Sequence, residues 1–206
     1  MQDHRLGSGI LSGWRLVLAV AAALALAAAV TAWSLGGTDG VRLFIRMTAR
    51  SSFVLFLLAF TASALAHFWP SEGTRWLRAN RRYLGLSFAV SHFVHLGAIL
   101  LLLRMDPVLF HTLTNPVTII SGAIAYVFIA AMALTSFDAA VRAMGAGAWK
   151  TLHTMGTWYI FISFAVAYGK RAPGDPFYQG FAAVLLLVLV LKLAHLLSAR
   201  ARARMG

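Results

Sequence analysis

The stretch Arg81-Arg82-Tyr83-Leu84-Gly85-Leu86-Ser87-Phe88-Ala89-Val90-Ser91-His92-Phe93-Val94-His95-Leu96-Gly97-Ala98-Ile99-Leu100-Leu101-Leu102-Leu103 decides the fold. It is long and apolar enough for a helix across a bilayer, basic at its start, with two histidines near its middle. Ionisable groups are rare at that depth, so the helix that carries them is singled out.

Working outward, the whole chain has the same character. It is 60% hydrophobic and 12% charged, with a mean hydropathy of +0.78, far from the balance of a water-soluble domain. The formal charge of +12 would suggest nucleic acid in a soluble protein, but these arginines sit in short segments between apolar runs, where a lipid surface attracts them. The partner read from the charge is therefore the bilayer, and no nucleic acid is expected. There is no cysteine, which excludes disulfides, thiolate catalysis, iron–sulfur clusters and covalently attached c-type haem. Any cofactor must be held without covalent bonds, most naturally by histidine.

The expected architecture is all-α, a single integral membrane bundle over residues 1–206 with six spans at about 14–35, 51–68, 83–103, 117–136, 149–168 and 177–197, each near the length an apolar helix needs to cross. The first run is read as a retained anchor, because its apolar core is longer than the h-region of a signal peptide; the signal peptide is the minority reading. The second span stops at Pro70, and Arg42, Arg46 and Arg50 are placed in the loop before it. With both termini on one side, that side holds eleven Lys/Arg (Arg5, Arg15, Arg75, Arg78, Arg81, Arg82, Arg142, Lys150, Arg200, Arg202, Arg204) against six on the other (Arg42, Arg46, Arg50, Arg104, Lys170, Arg171). The bias puts the termini in the cytoplasm.

The six acidic residues, Asp3, Asp39, Glu72, Asp106, Asp138 and Asp175, all fall in expected loops or the amino-terminal tail. Ion-coupled transport through intramembrane carboxylates is thereby disfavoured. Histidine remains. His92 and His95 share a helix face with Ser91 beside them; His153 lies in the first turns of span five, His67 closes span two, His195 follows Lys192 near the end of span six, and His111 is in an outer loop. A neutral imidazole offers one nitrogen to a metal while its other N–H takes a hydrogen bond, which suits axial ligation of haem iron. Gly85, Ala89, Gly97 and Gly156 are small enough to open a slot for a flat macrocycle, and Arg78, Arg81, Arg82 and Lys150 are placed to meet its propionates. The expected iron ligands are His95 and His153. His92 reads equally as a ligand or as a packing residue, His67 and His195 as interfacial or structural, Lys192 as snorkelling to the cytoplasmic surface, and Trp69, Trp149 and Trp158 as interface anchors or core.

Arg81-Arg82-x-Leu84-Gly85-Leu86 with His95 beyond it, followed by Ala133-Leu134-Thr135-Ser136, Arg142, Gly145 and Trp149-Lys150-x-Leu152-His153, resembles the ferric reductase-like transmembrane domain family. The pattern is closest to the haem-binding membrane subunits of bacterial methionine sulfoxide reductase systems. The resemblance implies one or two haem b groups, electron transfer across the bacterial inner membrane, and a redox partner, either a flavoprotein or a periplasmic reductase. The cytoplasmic flavin and nicotinamide domain of the larger family members is missing, so electrons would come from a partner's flavin or from a quinol.

The family pattern has a second histidine further along span five, where this chain has Val166. The remaining pair is also staggered: from the expected span starts, His95 lies deeper than His153 by about 12 Å. His195, on an antiparallel span, is expected near the depth of His153, as is His67. An inner haem held by His153 with His195 or His67, below a site at His92 or His95, is the resulting expectation. Two other classes stay open: a non-redox transporter or scaffold with structural histidines, and an anchor subunit that binds quinone between helices.

Overall fold

The computed structural model describes residues 11–205; the tail residues Asp3 and Arg5 lie outside them. Among the described residues there are nine α-helices and no strand. They are α1 (Trp14–Ser34), α2 (Gly37–Phe68), α3 (Glu72–Ala79), α4 (Arg81–Met105), α5 (Pro107–Leu113), α6 (Pro116–Leu134), α7 (Asp138–Met144), α8 (Ala146–Gly169) and α9 (Pro176–Met205). Five of them, α1, α2, α4, α6 and α9 over Pro176–Arg202, are long and apolar enough to cross a membrane. The span expected at 149–168 corresponds to α8, which has 24 residues. Its first half carries Lys150, Thr151, His153, Thr154 and Thr157, which dilutes its apolar character below that of the other five.

The second span begins at Gly37 rather than Ser51, which corrects the expected boundary. Gly36 (φ 60°) and Gly37 (φ 49°) turn the chain sharply after α1, in a conformation that L side chains avoid. Asp39 then sits in the first turn of α2, favourable at a helix N-terminus, and pairs with Arg42 at 3.3 Å. Arg42, Arg46 and Arg50 therefore ride on the helix instead of occupying a loop. The α1–α2 hairpin is tight: a Cβ on Gly40 would lie 2.8 Å from the Thr31 carbonyl oxygen.

Every acidic residue among those described begins a helix. Glu72 and Asp138 occupy first turns, Asp106 accepts the Leu109 N–H at 2.8 Å, and Asp175 accepts the Phe177 N–H at 2.8 Å. Their negative charge is spent on helix N-termini and stays out of the bundle's middle. Proline follows Asp106, Asn115 and Asp175 at the first helical position, where a missing N–H costs nothing.

Side-chain contacts fix the ends of the bundle. Buried Asn80, just before α4, accepts the Gly13 N–H at 2.9 Å and so ties the start of α1 to the start of α4. Trp14 stacks on Phe137 at 6.1 Å, and Arg82 is ion-paired with Asp138, which adds the α6–α8 turn to that end. His67 faces His195 with ring centroids 5.3 Å apart, which adds the ends of α2 and α9. Long helices thus alternate in direction. Between them α2 and α4 form the buried centre, while Leu18, Val127 and Leu187 on α1, α6 and α9 stand outward, as a lipid-facing surface requires. Phe53, Phe56 and Phe60 of α2 pack with Phe88 of α4, Ile129 of α6, and Phe161, Phe164 and Tyr168 of α8. Tyr168 stacks on Phe181 of α9 at 4.5 Å.

Candidate functional site

The α4 face turned toward α2 is polar in the middle of an apolar pair. Thr48 and Ser52 of α2 and Ser87 and Ser91 of α4 are fully buried. Ser91 Oγ lies 2.9 Å from both Ser51 Oγ and Ser52 Oγ. One turn on, His95 Nδ1 is 3.0 Å from Thr48 Oγ1 and 3.1 Å from the carbonyl oxygen of Ile45. A carbonyl only accepts, so Nδ1 carries the proton, and the Thr48 hydroxyl already donates to the Phe44 carbonyl at 2.8 Å. Nε2 is left as the nitrogen with the lone pair. Nδ1 is thus anchored to a backbone carbonyl, and Nε2 has no partner among the described residues, an arrangement compatible with metal ligation.

His92 occupies the neighbouring position, with its ring centroid 5.3 Å from that of His95. It lies among Phe88 (5.3 Å), Tyr126 (5.0 Å) and Phe164 (6.0 Å). Its Nδ1 is buried without a hydrogen-bond partner among the described residues, an expensive state unless something binds it. Tyr126 spans the same gap by donating its hydroxyl to the His92 carbonyl at 3.0 Å.

His153 is held differently. Thr135 Oγ1 donates to the Ala131 carbonyl at 2.7 Å, so His153 Nε2, 3.1 Å away, supplies the proton of their shared bond. Trp149 stacks on the imidazole at 4.3 Å and donates its indole N–H to the Thr135 carbonyl at 2.8 Å. The Trp149, Thr135 and His153 residues thereby lock α8 against the end of α6. Arg81, at the start of α4, makes no ion pair among the described residues and lies at the same end of the bundle as His153 and His195. Of the other expected propionate partners, Arg82 is already paired with Asp138, while Lys150 is exposed.

His92 and His95 are brought together, as are His67 and His195; His95 and His153 are kept apart. His92 is level with Phe164, which lies eleven residues beyond His153 on α8, an axial separation of about 16 Å. No single macrocycle reaches both. The expected slot is also narrower at one point. A Cβ on Gly156 would lie 2.7 Å from Met132 Sδ and 3.2 Å from Phe128 Cδ1, so this glycine is used for close α6–α8 packing. Gly85 and Gly97 meet nothing within 4 Å of such a Cβ. Lys192 does not snorkel to the near surface: its Nζ donates to the Phe60 carbonyl at 3.1 Å and sits 4.4 Å over the Phe60 ring, about one turn deeper. His111 is exposed on α5.

The residues that sequence reasoning missed are the supports, Thr48, Ser51, Ser52 and Tyr126. Thr48, Ser51 and Ser52 repeat at helical spacing inside an apolar run. That signal was hidden by starting the second span at Ser51.

Comparison with protein-family models, with curated proteins and with solved structures returns no match. The likeness to the ferric reductase-like domain therefore rests on the chain's own residues. Among those described, no three histidines or carboxylates come together as a metal site. What the donor chemistry fits is a single axial imidazole at His95, with an unsatisfied second imidazole beside it.

Proposed function

We propose that this protein is a haem b membrane protein of the ferric reductase-like kind, carrying electrons across a bacterial inner membrane as a six-span bundle with both termini in the cytoplasm. In this reading α8 is the sixth span, its polar first half shielded by α6 and by the ligand. The observation that carries the proposal is the His95 imidazole, anchored through Nδ1–H to Ile45 and Thr48 with Nε2 open.

His95 would hold the iron, with His92 beside it as alternative ligand or orienting group; Arg81, about 21 Å away at the start of the same helix, would meet a propionate only of a haem at the lower position. His153 and His195 belong to a second, lower position if one exists. Bound haem would supply a one-electron Fe(III)/Fe(II) couple. The chain's residues orient the imidazole and supply apolar surface: Phe88 and Phe164 pack on His92, with Phe53 and Phe56 packed against those two rings, and such surface is one of the levers on a haem's potential. Electrons would arrive from a separate flavoprotein or a quinol and leave to an outer-side partner. The outward apolar faces of α1, α6 and α9 supply the bilayer contact.

The experiment is a pyridine-haemochrome measurement on protein produced with haem supplied, for wild type and for His92→Ala, His95→Ala, His153→Ala and His195→Ala. The proposal expects a haem band in the wild type and its loss, wholly or at one site, in His95→Ala. A folded but colourless wild type removes the proposal. That result would leave a non-redox membrane protein, a reading favoured by the way His153 is occupied with Thr135 and His67 with Ser198 (3.4 Å).

A further inference from the structure

At the end of the bundle where α2 finishes, basic groups converge without a counter-charge among the described residues. His67 Nδ1 is 3.5 Å from Arg202 Nη1, which can only donate to it. His67 Nε2 is 3.4 Å from Ser198 Oγ, whose own hydroxyl donates to the His195 carbonyl at 2.9 Å. The tautomer is thereby fixed, with Nε2 protonated. The His195 ring meets His67 edge to face at 5.3 Å and has no hydrogen-bond partner among the described residues. Lys192, one turn below on the same helix, turns its ammonium away to the Phe60 carbonyl, and Arg81 adds its field from α4. The ion pairs among the described residues are Asp39 with Arg42 and Asp138 with Arg82, so no carboxylate neutralises this group.

The cations at this end, Arg202 and Lys192 on α9 and Arg81 on α4, repel one another, and an anion near Arg202 relieves that repulsion. Part of the field is offset by the C-terminal dipole of α2, but His195 and the outer N–H groups of Arg202 remain unused. Their depth is that of the phospholipid headgroups: His67, Phe68 and Trp69 end α2, and an exposed Trp69 marks the interface. The edge-to-face contact of the two imidazoles leaves no room for a macrocycle between them.

We propose that His195 and Arg202, the latter held in place by His67, bind the phosphate of an anionic phospholipid at the junction of α2 and α9. The lipid is favoured over free phosphate because Leu196 and Leu197, exposed on α9 beside the cluster, offer acyl chains a surface that inorganic phosphate does not use. The inference is independent of haem at His95, whereas a lower haem ligated by His195 would exclude it.

The test is the thermal midpoint of the purified full-length protein in detergent with added phosphatidylglycerol, phosphatidylcholine or inorganic phosphate. An upward shift with phosphatidylglycerol alone, abolished in Arg202→Gln/His195→Gln and retained in the control Arg75→Gln/Arg78→Gln, is the expected result. Equal shifts with both lipids, or a double variant that still responds like wild type, overturn the proposal; a shift with inorganic phosphate alone overturns the lipid source. Should the double variant fail to fold, Arg202→Gln alone, which leaves both imidazoles in place, must show a reduced response to phosphatidylglycerol, and an undiminished response overturns the proposal.

Discussion

His92 on α4 rests against Phe164 on α8, with ring centroids 6.0 Å apart. That contact sets the register of the two helices and places His153 about three turns away from the α4 histidines. Haem held at His95 must therefore survive the loss of His153. Absorbance spectra of His153→Ala are expected to retain the pigment that His95→Ala removes; equal and complete loss in both would mean that they share one haem and that the helices slide past each other when it binds.

The Thr48 hydroxyl orients the His95 ring without touching any ligand. Thr48→Val keeps the volume of the side chain and leaves only the Ile45 carbonyl to hold Nδ1–H. Haem retention during titration with apomyoglobin is expected to weaken by about tenfold, the lower end of what loss of an outer-shell partner costs. Thr48→Ser should restore it, because the hydroxyl and not the methyl group makes the bond.

Gly40 and Gly156 are both close-approach glycines, yet their substitution should differ. A Cβ at Gly40 meets the Thr31 carbonyl oxygen at 2.8 Å, and backbone cannot move aside. At Gly156 the obstacle is the thioether of Met132, which can change rotamer. Gly40→Ala is expected to destabilise by about 1–3 kcal/mol, and Gly156→Ala by less, with Met132→Ala recovering part of the latter loss. Denaturation midpoints in detergent report the order, and a reversed order would contradict the packing.

Asn80 is almost completely buried and bridges the Gly13 N–H and the Trp76 carbonyl. Asn80→Ala leaves the Gly13 N–H without its acceptor, a loss of about 1–3 kcal/mol. Because that bond joins α1 to α4, proteolysis between α1 and α2 should accelerate more than cleavage at the exposed α5 segment. Uniform acceleration would show that Asn80 supports the whole bundle and not that junction.

The alternation of long helices predicts that reporter fusions at the two ends of the chain agree with each other and disagree with one inserted at Asp106. Ends that disagree with each other would leave five spans with α8 lying at the surface, and a fusion at Asp106 that reads like the amino-terminal end would overturn the alternation of α1, α2 and α4.

Much of this was legible in the chain itself. Apolar runs closed by Pro70, by Asp106-Pro107 and by Asn115-Pro116 mark helix limits because proline and capping side chains act locally, and the rarity of carboxylates in those runs follows from the cost of charge in hydrocarbon. The placing of Asp39, Arg42, Arg46 and Arg50 on α2 was not legible, since whether Gly36-Gly37 forms a loop or a two-residue turn depends on how closely α1 and α2 pack. Nor could spacing along one helix reveal that His95 is anchored by Ile45 and Thr48, that His153 is taken up by Thr135, or that Lys192 turns inward to Phe60.

What the sequence determined by itself is an all-helical chain with several membrane-length apolar helices and the residues that carry imidazole, because hydrophobicity and capping are properties of neighbouring residues. Which nitrogen each imidazole leaves free was decided only by the tertiary structure, because a hydrogen-bond partner from another helix is set by the axial register of packed helices, and no single helix contains that information.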